Sequence, residues 1–337
     1  MLISWIGIPC HNQTMTPSSL SLNDRILGAM LGLACGDALG APAEFQTQQW
    51  VREEFDELRD MVGGGPWEPG EWTDDTGMTL CVAQGIVANP ADPVPVAGER
   101  FLEWRRTAKD VGSTISAALS AYNGDWPAAA QSTPQARTGK AAGNGSLMRT
   151  LPVALAYTQP KTMLTQSARL SAMTHWDPQA EVCCAIYCLW IRDLLTGTPL
   201  REAWYNALAR GRAVSDLRKL ADDTPGPAPL PEEFWKRLYD VESLEYAELQ
   251  PSGYAGYAVE CLEAAVWCCL HAPSLEEALV LAVNLAGEAD TIAAIAGGAA
   301  GAYWGREAIP QRWLDALHER DVVEGAAWNL LGLREAL

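Results

Sequence analysis

Two stripes of glycine restrict this chain more than any other feature. Gly28, Gly32, Gly36 and Gly40 recur at four-residue spacing near the start, and Gly297, Gly301 and Gly305 do so near the end. The first stripe runs among apolar residues at helical spacing: Ile26, Leu27, Met30, Leu31 and Ala34. A glycine inside a helix costs about 0.5–1 kcal/mol relative to alanine. Such a stripe must therefore be recovered by close approach of helix to helix, and both stripes predict central, tightly packed helices.

Helical spacing continues through Cys183, Ile186, Tyr187, Trp190, Ile191, Leu194 and Leu195, and through Val259, Leu262, Val266 and Leu270. No set of alternating strands is long enough to build a sheet, so the expected class is all-α. The Gly/Pro cluster at 63–71 and the Pro-rich 222–233 read as loops. Helical patterning resumes beyond each, so neither is a domain linker. A helix start signal first occurs at 21–24. Residues 1–22 are thus expected to form a flexible extension ahead of one domain, 23–337.

The 337 residues, 48% of them apolar, can bury a sizeable core, and the formal net charge is −18. That charge excludes nucleic-acid binding by phosphate neutralisation, which needs clustered Lys and Arg, and makes cations the natural partners. The nine cysteines are odd in number, form adjacent pairs at 183–184 and 268–269, and make no CxxC. They read as buried thiols in a reducing cytoplasm. No positive charge precedes Arg25, which argues against a signal peptide. The charge-free apolar run at 291–305 falls short of the roughly 20 residues that cross a bilayer, so no membrane is expected.

Four stretches hold more side-chain oxygen than a helical core requires. In 36–45, GDALGAPAEF, the glycine helix breaks and Glu44 follows Pro42. In 70–80, GEWTDDTGMTL, Thr73, Asp74, Asp75 and Thr76 stand in a row before a helix predicted from Thr76 to about Val87. Thr73 or Asp74 can serve there as an N-cap, but a cap needs one oxygen and the segment offers four. Adjacent carboxylates repel, so a cation between them is the other reading. In 142–152, AGNGSLMRTLP, N–H groups freed by Gly143 and Gly145 ahead of a helix could cradle a phosphate. In 284–298, NLAGEADTIAAIAGG, either Asp290 is an N-cap with Glu288 exposed, or both belong to a site against the most apolar helix.

All these candidate ligands are oxygens: carboxylates of Glu44, Asp74, Asp75, Glu288 and Asp290, hydroxyls of Thr73 and Thr291. Hard donors select magnesium, manganese or calcium over zinc or copper. If gathered, the carboxylates would be nearly balanced by two divalent ions. Spacing alone leaves open whether they converge.

Seven pieces in order, DRILGAMLGLACGDALGAPAEF (24–45), GGG with GEWTDDTGM (63–78), KDVGST (109–114), AGNGSLMRTLPVAL (142–155), LSAMTHWDP (170–178), SGYAGYAVECLEAAVWC (252–268) and AVNLAGEADTIAAIAGGAAGAYWG (282–305), resemble the ADP-ribosylglycohydrolase family. The likeness is to its bacterial members typified by the dinitrogenase reductase-activating glycohydrolase. It implies a single-domain all-α fold with a dinuclear Mg²⁺ or Mn²⁺ centre at one end. By motif match, Glu44, Thr73, Asp74, Asp75, Asp290 and Thr291 would ligate metal, with Glu288 standing where the family usually has aspartate. The extra methylene moves that carboxylate outward by about 1.5 Å, while magnesium demands near-ideal octahedral geometry.

The resemblance further implies that the loop 143–148, with Gly143, Asn144, Gly145, Ser146 and Met148, binds the diphosphate of ADP-ribose, and that His175 lines the same cleft. Asp110, beside Gly112, matches the acidic residue that arginine-specific members place near the acceptor. The implied activity is hydrolysis of ADP-ribosylarginine on proteins through an oxocarbenium-like state, with Glu44, Asp110 and Asp290 as catalytic candidates. An ADP-ribose-binding, toxin-occluding protein and a hydrolase of serine-linked conjugates are the competing readings. Ile3, Trp5, Ile6 and Ile8 of the extension could anchor a partner, such as a cognate ADP-ribosyltransferase.

Overall fold

The computed structural model describes residues 20–213, 230–249 and 256–336. All but the last three residues of the expected extension 1–22, and most of the Pro-rich 222–233, lie outside the described residues. In chain order the α-helices are α1 Leu22–Gly40, α2 Gln48–Phe55, α3 Asp74–Ala88, α4 Val94–Trp104, α5 Ser113–Ala121 and α6 Trp126–Gln131. There follow α7 Pro134–Arg137, α8 Leu151–Ala156, α9 Pro160–Ser171, α10 Pro178–Leu194, α11 Leu200–Ala213 and α12 Glu232–Tyr239. The last are α13 Ala258–His271, α14 Leu275–Val283, α15 Ala289–Trp304, α16 Gln311–Ala316 and α17 Arg320–Ala336. Isolated bridges, with no strands, complete the backbone pairing among the described residues.

The two glycine stripes meet each other. A Cβ added to Gly28 would stand 2.5 Å from the Gly301 carbonyl oxygen, and one on Gly32, Gly36 or Gly40 would strike the backbone of Gly297, Ala293 or Asp290. In return Gly297 and Gly301 face the carbonyls of Gly32 and Gly28. Helices α1 and α15 are therefore antiparallel, backbone against backbone, with no room for a methyl group between them. Gly305 also packs on Gly28, where an added Cβ would stand 2.7 Å from the Gly305 carbonyl carbon, and it ends α15 with φ 80°, a common glycine role at a helix terminus. At the same end Arg25 donates from Nη1 to the carbonyls of Ala302, at 2.8 Å, and Tyr303, at 3.0 Å, meeting the negative end of α15.

This register decides where everything else lies. It sets the C-terminus of α1 against the N-terminus of α15, so the segments that follow and precede them pair: Phe45 N donates to Gly287 O (2.6 Å) and Gly287 N to Gln46 O (3.0 Å). Phe45, Ala286 and Gly287 are all left-handed, at φ 58°, 60° and 66°. For Phe45 and Ala286 that is a strained conformation, of a kind that clusters at functional sites.

The segment Leu22–Ala43 is long and apolar enough to cross a bilayer, with a mean hydropathy of 1.5, a length missed when only charge-free runs are counted. From Arg25 onward it is buried inside the protein, and it serves as the core helix. The cysteines at 35, 81, 183, 184, 188, 261, 268 and 269 are likewise buried and free. Cys10 lies outside the described residues.

Gly32→Ala gains helix propensity but overpacks the α1–α15 contact, at a net cost of about 1–3 kcal/mol. Gly332→Ala, on α17 with open space around its Cα, should instead stabilise by about 0.5–1 kcal/mol. Denaturant unfolding of both variants checks the contrast; equal effects would mean that the close approach is unimportant.

Candidate active site

The site forms where α1 ends and α3 and α15 begin. Asp37, fully buried in the last turns of α1, accepts from Thr73 N (2.9 Å), Thr76 N (2.8 Å) and Thr76 Oγ1 (2.6 Å). A carboxylate from one helix thus tethers the first turn of another. Helix α3 starts at Asp74, earlier than the periodicity predicts, and Thr73 is its N-cap, the hydroxyl accepting from Asp75 N at 3.4 Å.

Capping does not exhaust the segment. The Thr73 hydroxyl also donates to Asp290 Oδ2 (3.4 Å), while Thr291 Oγ1 donates to Asp75 Oδ2 (3.2 Å), so the starts of α3 and α15 are laced by two crossed pairs. Asp290 is not the N-cap of α15. Glu288 holds that position without a side-chain capping bond, and it is buried, against the exposed side chain expected of a simple helix start.

Above this layer opens a cavity of about 450 Å³. One wall carries Glu44, Asp74, Asp110, Gly112, Glu288 and Thr291; the other carries Gly143, Asn144, Gly145, Met148 and His175. Thr73, Asp75 and Asp290 are almost completely buried and belong to the layer behind that wall. Of the residues expected to bind substrate, Ser146 alone turns away, its Oγ accepting from Ser171 Oγ at 2.9 Å in the interior. The helix expected after the Gly-rich loop does not start directly on it: residues 144–146 form one 3₁₀ turn and α8 begins at Leu151.

The loop is held from both sides. Asn144 N donates to Gly256 O (2.6 Å) and Ala258 N to Ala142 O (2.9 Å). Asn144 Nδ2 donates to Glu288 Oε2 at 2.8 Å, which ties the loop to the acidic half. Beneath the loop lies the His175 ring, so close that a Cβ on Gly143 would stand 3.0 Å from Nε2. The buried Arg149 guanidinium donates to Gly145 O and to Thr174 Oγ1, both at 2.8 Å. The Thr174 hydroxyl, itself 2.8 Å from His175 Nδ1, can donate there, which leaves the ring proton on Nε2 facing the loop.

Burial and mutual repulsion act on all the acids. Burial first, then Asp110, Asp74, Glu288 and Asp37, pushes Glu44 up to about 9. Burial, then Asp110 and Asp37, pushes Asp74 up to about 7, against the Gly112 N–H that it accepts. Asp75 and Asp290 rise well above the usual carboxylate range for the same reasons, and burial also raises Glu288 and Asp37. Burial, with Arg149 adding to it, lowers His175 to about 3, so the ring is neutral at pH 7.

Among the described residues no group of three or more His, Cys, Asp or Glu side chains stands at the spacing that holds an ion unaided. The donor set is mixed, hydroxyl with carboxylate, and it fits a hard divalent cation on two grounds. Every donor is an oxygen, and Asp75 Oδ1 is buried with no hydrogen-bond partner, a cost of about 1–3 kcal/mol.

Asp37 and Arg149 were missed in the sequence. The signal for Asp37 was there, an acid inside the glycine helix of α1; for Arg149 nothing in the spacing distinguishes a buried cation from a surface one.

The helical core thus ends in an acidic cleft lined by side-chain oxygens and by a Gly-rich loop. The chain belongs to the ADP-ribosylglycohydrolase family, whose sequence profile matches residues 18–336. An ADP-ribosylarginine hydrolase of Serratia proteamaculans, Tri1, is 29% identical over 97% of this chain and 83% of its own. An ADP-ribosyl-[dinitrogen reductase] glycohydrolase of Rhodospirillum rubrum is 30% identical over 88% of this chain and 91% of its own. A solved structure described as an ADP-ribosylglycohydrolase-related protein complex superposes with a TM-score of 0.73, at 36% identity over 93% of this chain and 99% of that one.

The raised carboxylates fix how cation-free protein responds to pH. A folded-state pKa above the unfolded value means stability that is present below about pH 4 and lost as pH rises through the folded values, about 7 for Asp74 and about 9 for Glu44. In excess chelator the melting temperature should therefore fall from pH 5 to pH 9, and Mg²⁺ should flatten the slope. A chelated protein with a level profile would show that burial and mutual repulsion do not raise these acids.

Proposed function

We propose that this enzyme hydrolyses the bond between ADP-ribose and an arginine side chain on modified proteins, reversing mono-ADP-ribosylation, with two divalent cations, Mg²⁺ or Mn²⁺, in the acidic half of the cleft. The observation that carries the reading is the crossed pairing of Thr73 with Asp290 and of Thr291 with Asp75 behind a cavity whose far wall is the Gly-rich loop. The names of the Serratia and Rhodospirillum relatives support the same substrate class. Glu44, Thr73, Asp74, Asp75, Glu288, Asp290 and Thr291 would hold the cations. When bound, such ions supply Lewis acidity and favour hydroxide over water near neutral pH.

The chain's own groups account for the remaining steps. The diphosphate lies along 143–148, where Gly143 and Gly145 let backbone N–H groups approach the phosphates. His175, held neutral by burial, offers its Nε2 proton from beneath the loop without changing the net charge there. Asp110 pairs with the guanidinium by charge-assisted hydrogen bonds. Glu44 and Asp110 share the cavity wall and move the proton to the departing nitrogen. The surrounding carboxylates favour the positive charge that develops on the ribose as its C–N bond breaks. Glu288 reaches its place as a longer side chain steadied by Asn144.

Chelator should abolish turnover of arginine-linked ADP-ribosylated protein, and Mg²⁺ or Mn²⁺ should restore it. Asp75→Ala should lower kcat by about a hundredfold or more, the scale of losing a preorganised electrostatic group. ADP-ribose binding without turnover in either metal would make the chain a binding protein, and faster cleavage of serine-linked substrate would remove Asp110 from its assigned role. Glu288→Asp should change the affinity for the second equivalent of metal in calorimetric titration; an unaltered isotherm would make the extra methylene irrelevant.

A further inference from the structure

A second cleft, of about 170 Å³, opens beside the main cavity and shares Asp74 and Asp110 with it. Trp67, Trp72, Trp104 and Glu71 form its other walls. We infer that this side cleft is the acceptor slot, which takes the guanidinium-bearing side chain of the modified residue between aromatic rings and carboxylates. The inference rests on the arginine reading above and extends it from Asp110 to a built pocket.

The slot is held in shape by the backbone around it. Gly64 and Trp67 exchange N–H···O bonds of 3.0 and 2.9 Å, with Gly63 and Gly65 in the left-handed region, so Trp67 sits on a tight hairpin. Trp72 is fixed by its Nε1 bond to His318 O at 3.1 Å. On α3, a Cβ on Gly77 would stand 2.6 Å from Trp104 Nε1 and 3.3 Å from the Trp72 ring, so that position leaves space for two indoles. These rings line the same cleft as Asp110, which also lines the main cavity.

A cation already lies there. Lys109 Nζ is 5.5 Å from the Trp67 ring centroid, 2.6 Å from Glu71 Oε1 and 3.0 Å from Pro66 O. The Lys109 side chain is 42% exposed, and a pair of that kind is held weakly and on a flexible stem. An arriving guanidinium can displace it, and is the better occupant: it is planar, stacks on indole and forks to carboxylates. A serine hydroxyl offers neither charge nor plane. The slot therefore discriminates between leaving groups where Asp110 alone would supply only one charge.

The test compares N-acetylarginine methylamide with its neutral isostere N-acetylcitrulline methylamide by titration calorimetry on the full chain, with ADP-ribose titrated separately. The arginine compound should bind and the citrulline compound should bind at least roughly tenfold more weakly. Trp67→Ala should weaken the arginine compound by roughly tenfold and raise KM for arginine-linked protein, leaving ADP-ribose affinity and KM for any serine-linked substrate unmoved. Lys109→Met should tighten the arginine compound. Equal binding of the two compounds, an unchanged affinity in Trp67→Ala, or weaker binding in Lys109→Met overturns the slot. If the arginine compound binds as expected but wild-type protein cleaves no arginine-linked substrate, the slot stands and the proposed reaction falls; turnover without slot binding has the reverse meaning.

Discussion

Everything in this protein hangs on two helices that touch through their backbones. Because Gly28, Gly32, Gly36 and Gly40 meet Gly301, Gly297, Ala293 and Asp290 in antiparallel order, the end of α1 is brought to the beginning of α15. The cost of glycine in helices is thereby offset by contacts that no larger residue could make. A different register, by even one turn, would separate Glu44 from Glu288 and Asp290. The cleft is thus an outcome of helix packing before it is an outcome of any single acid.

The acidic end then has to be kept together. Like charges in a buried place repel strongly, and the fold answers with directed bonds: Asp37 grips the first turn of α3, Thr73 and Thr291 cross over to Asp290 and Asp75, and Asn144 takes Glu288. On the opposite wall the arrangement inverts. A buried guanidinium, Arg149, lies under the Gly-rich loop and adds to the burial that keeps His175 uncharged. One cleft therefore has a carboxylate-rich side and a Gly-rich side with a buried cation beneath it.

Much of this was legible in the sequence, and the lapses share a cause. The glycine stripes announced close packing, and the oxygen-rich stretches announced a concentration of hard donors, because both are local patterns with local physics. Which stripe meets which, and that Thr73 reaches Asp290 217 positions away, are matters of contact that spacing does not encode. The same gap explains the misplaced residues. Asp37 reads as a stray acid in an apolar helix until its partners on α3 are seen, Ser146 reads as a loop hydroxyl until it turns inward to Ser171, and Glu288 reads as an exposed helix start until the neighbouring loop covers it. Family likeness supplied the order of the pieces, while the three-dimensional pairing supplied their contacts.

The α1–α15 contact also has a consequence in time. Gly28 and Gly301 are 273 positions apart (301 − 28), and a ribosome adding about 5–20 residues per second takes roughly 15–55 s to span that gap. Throughout that wait the emerging chain displays a segment, Leu22–Ala43, as apolar as a bilayer-crossing helix, with its destined mate not yet made. The nascent protein must therefore be sheltered longest at the very element on which its final architecture is built.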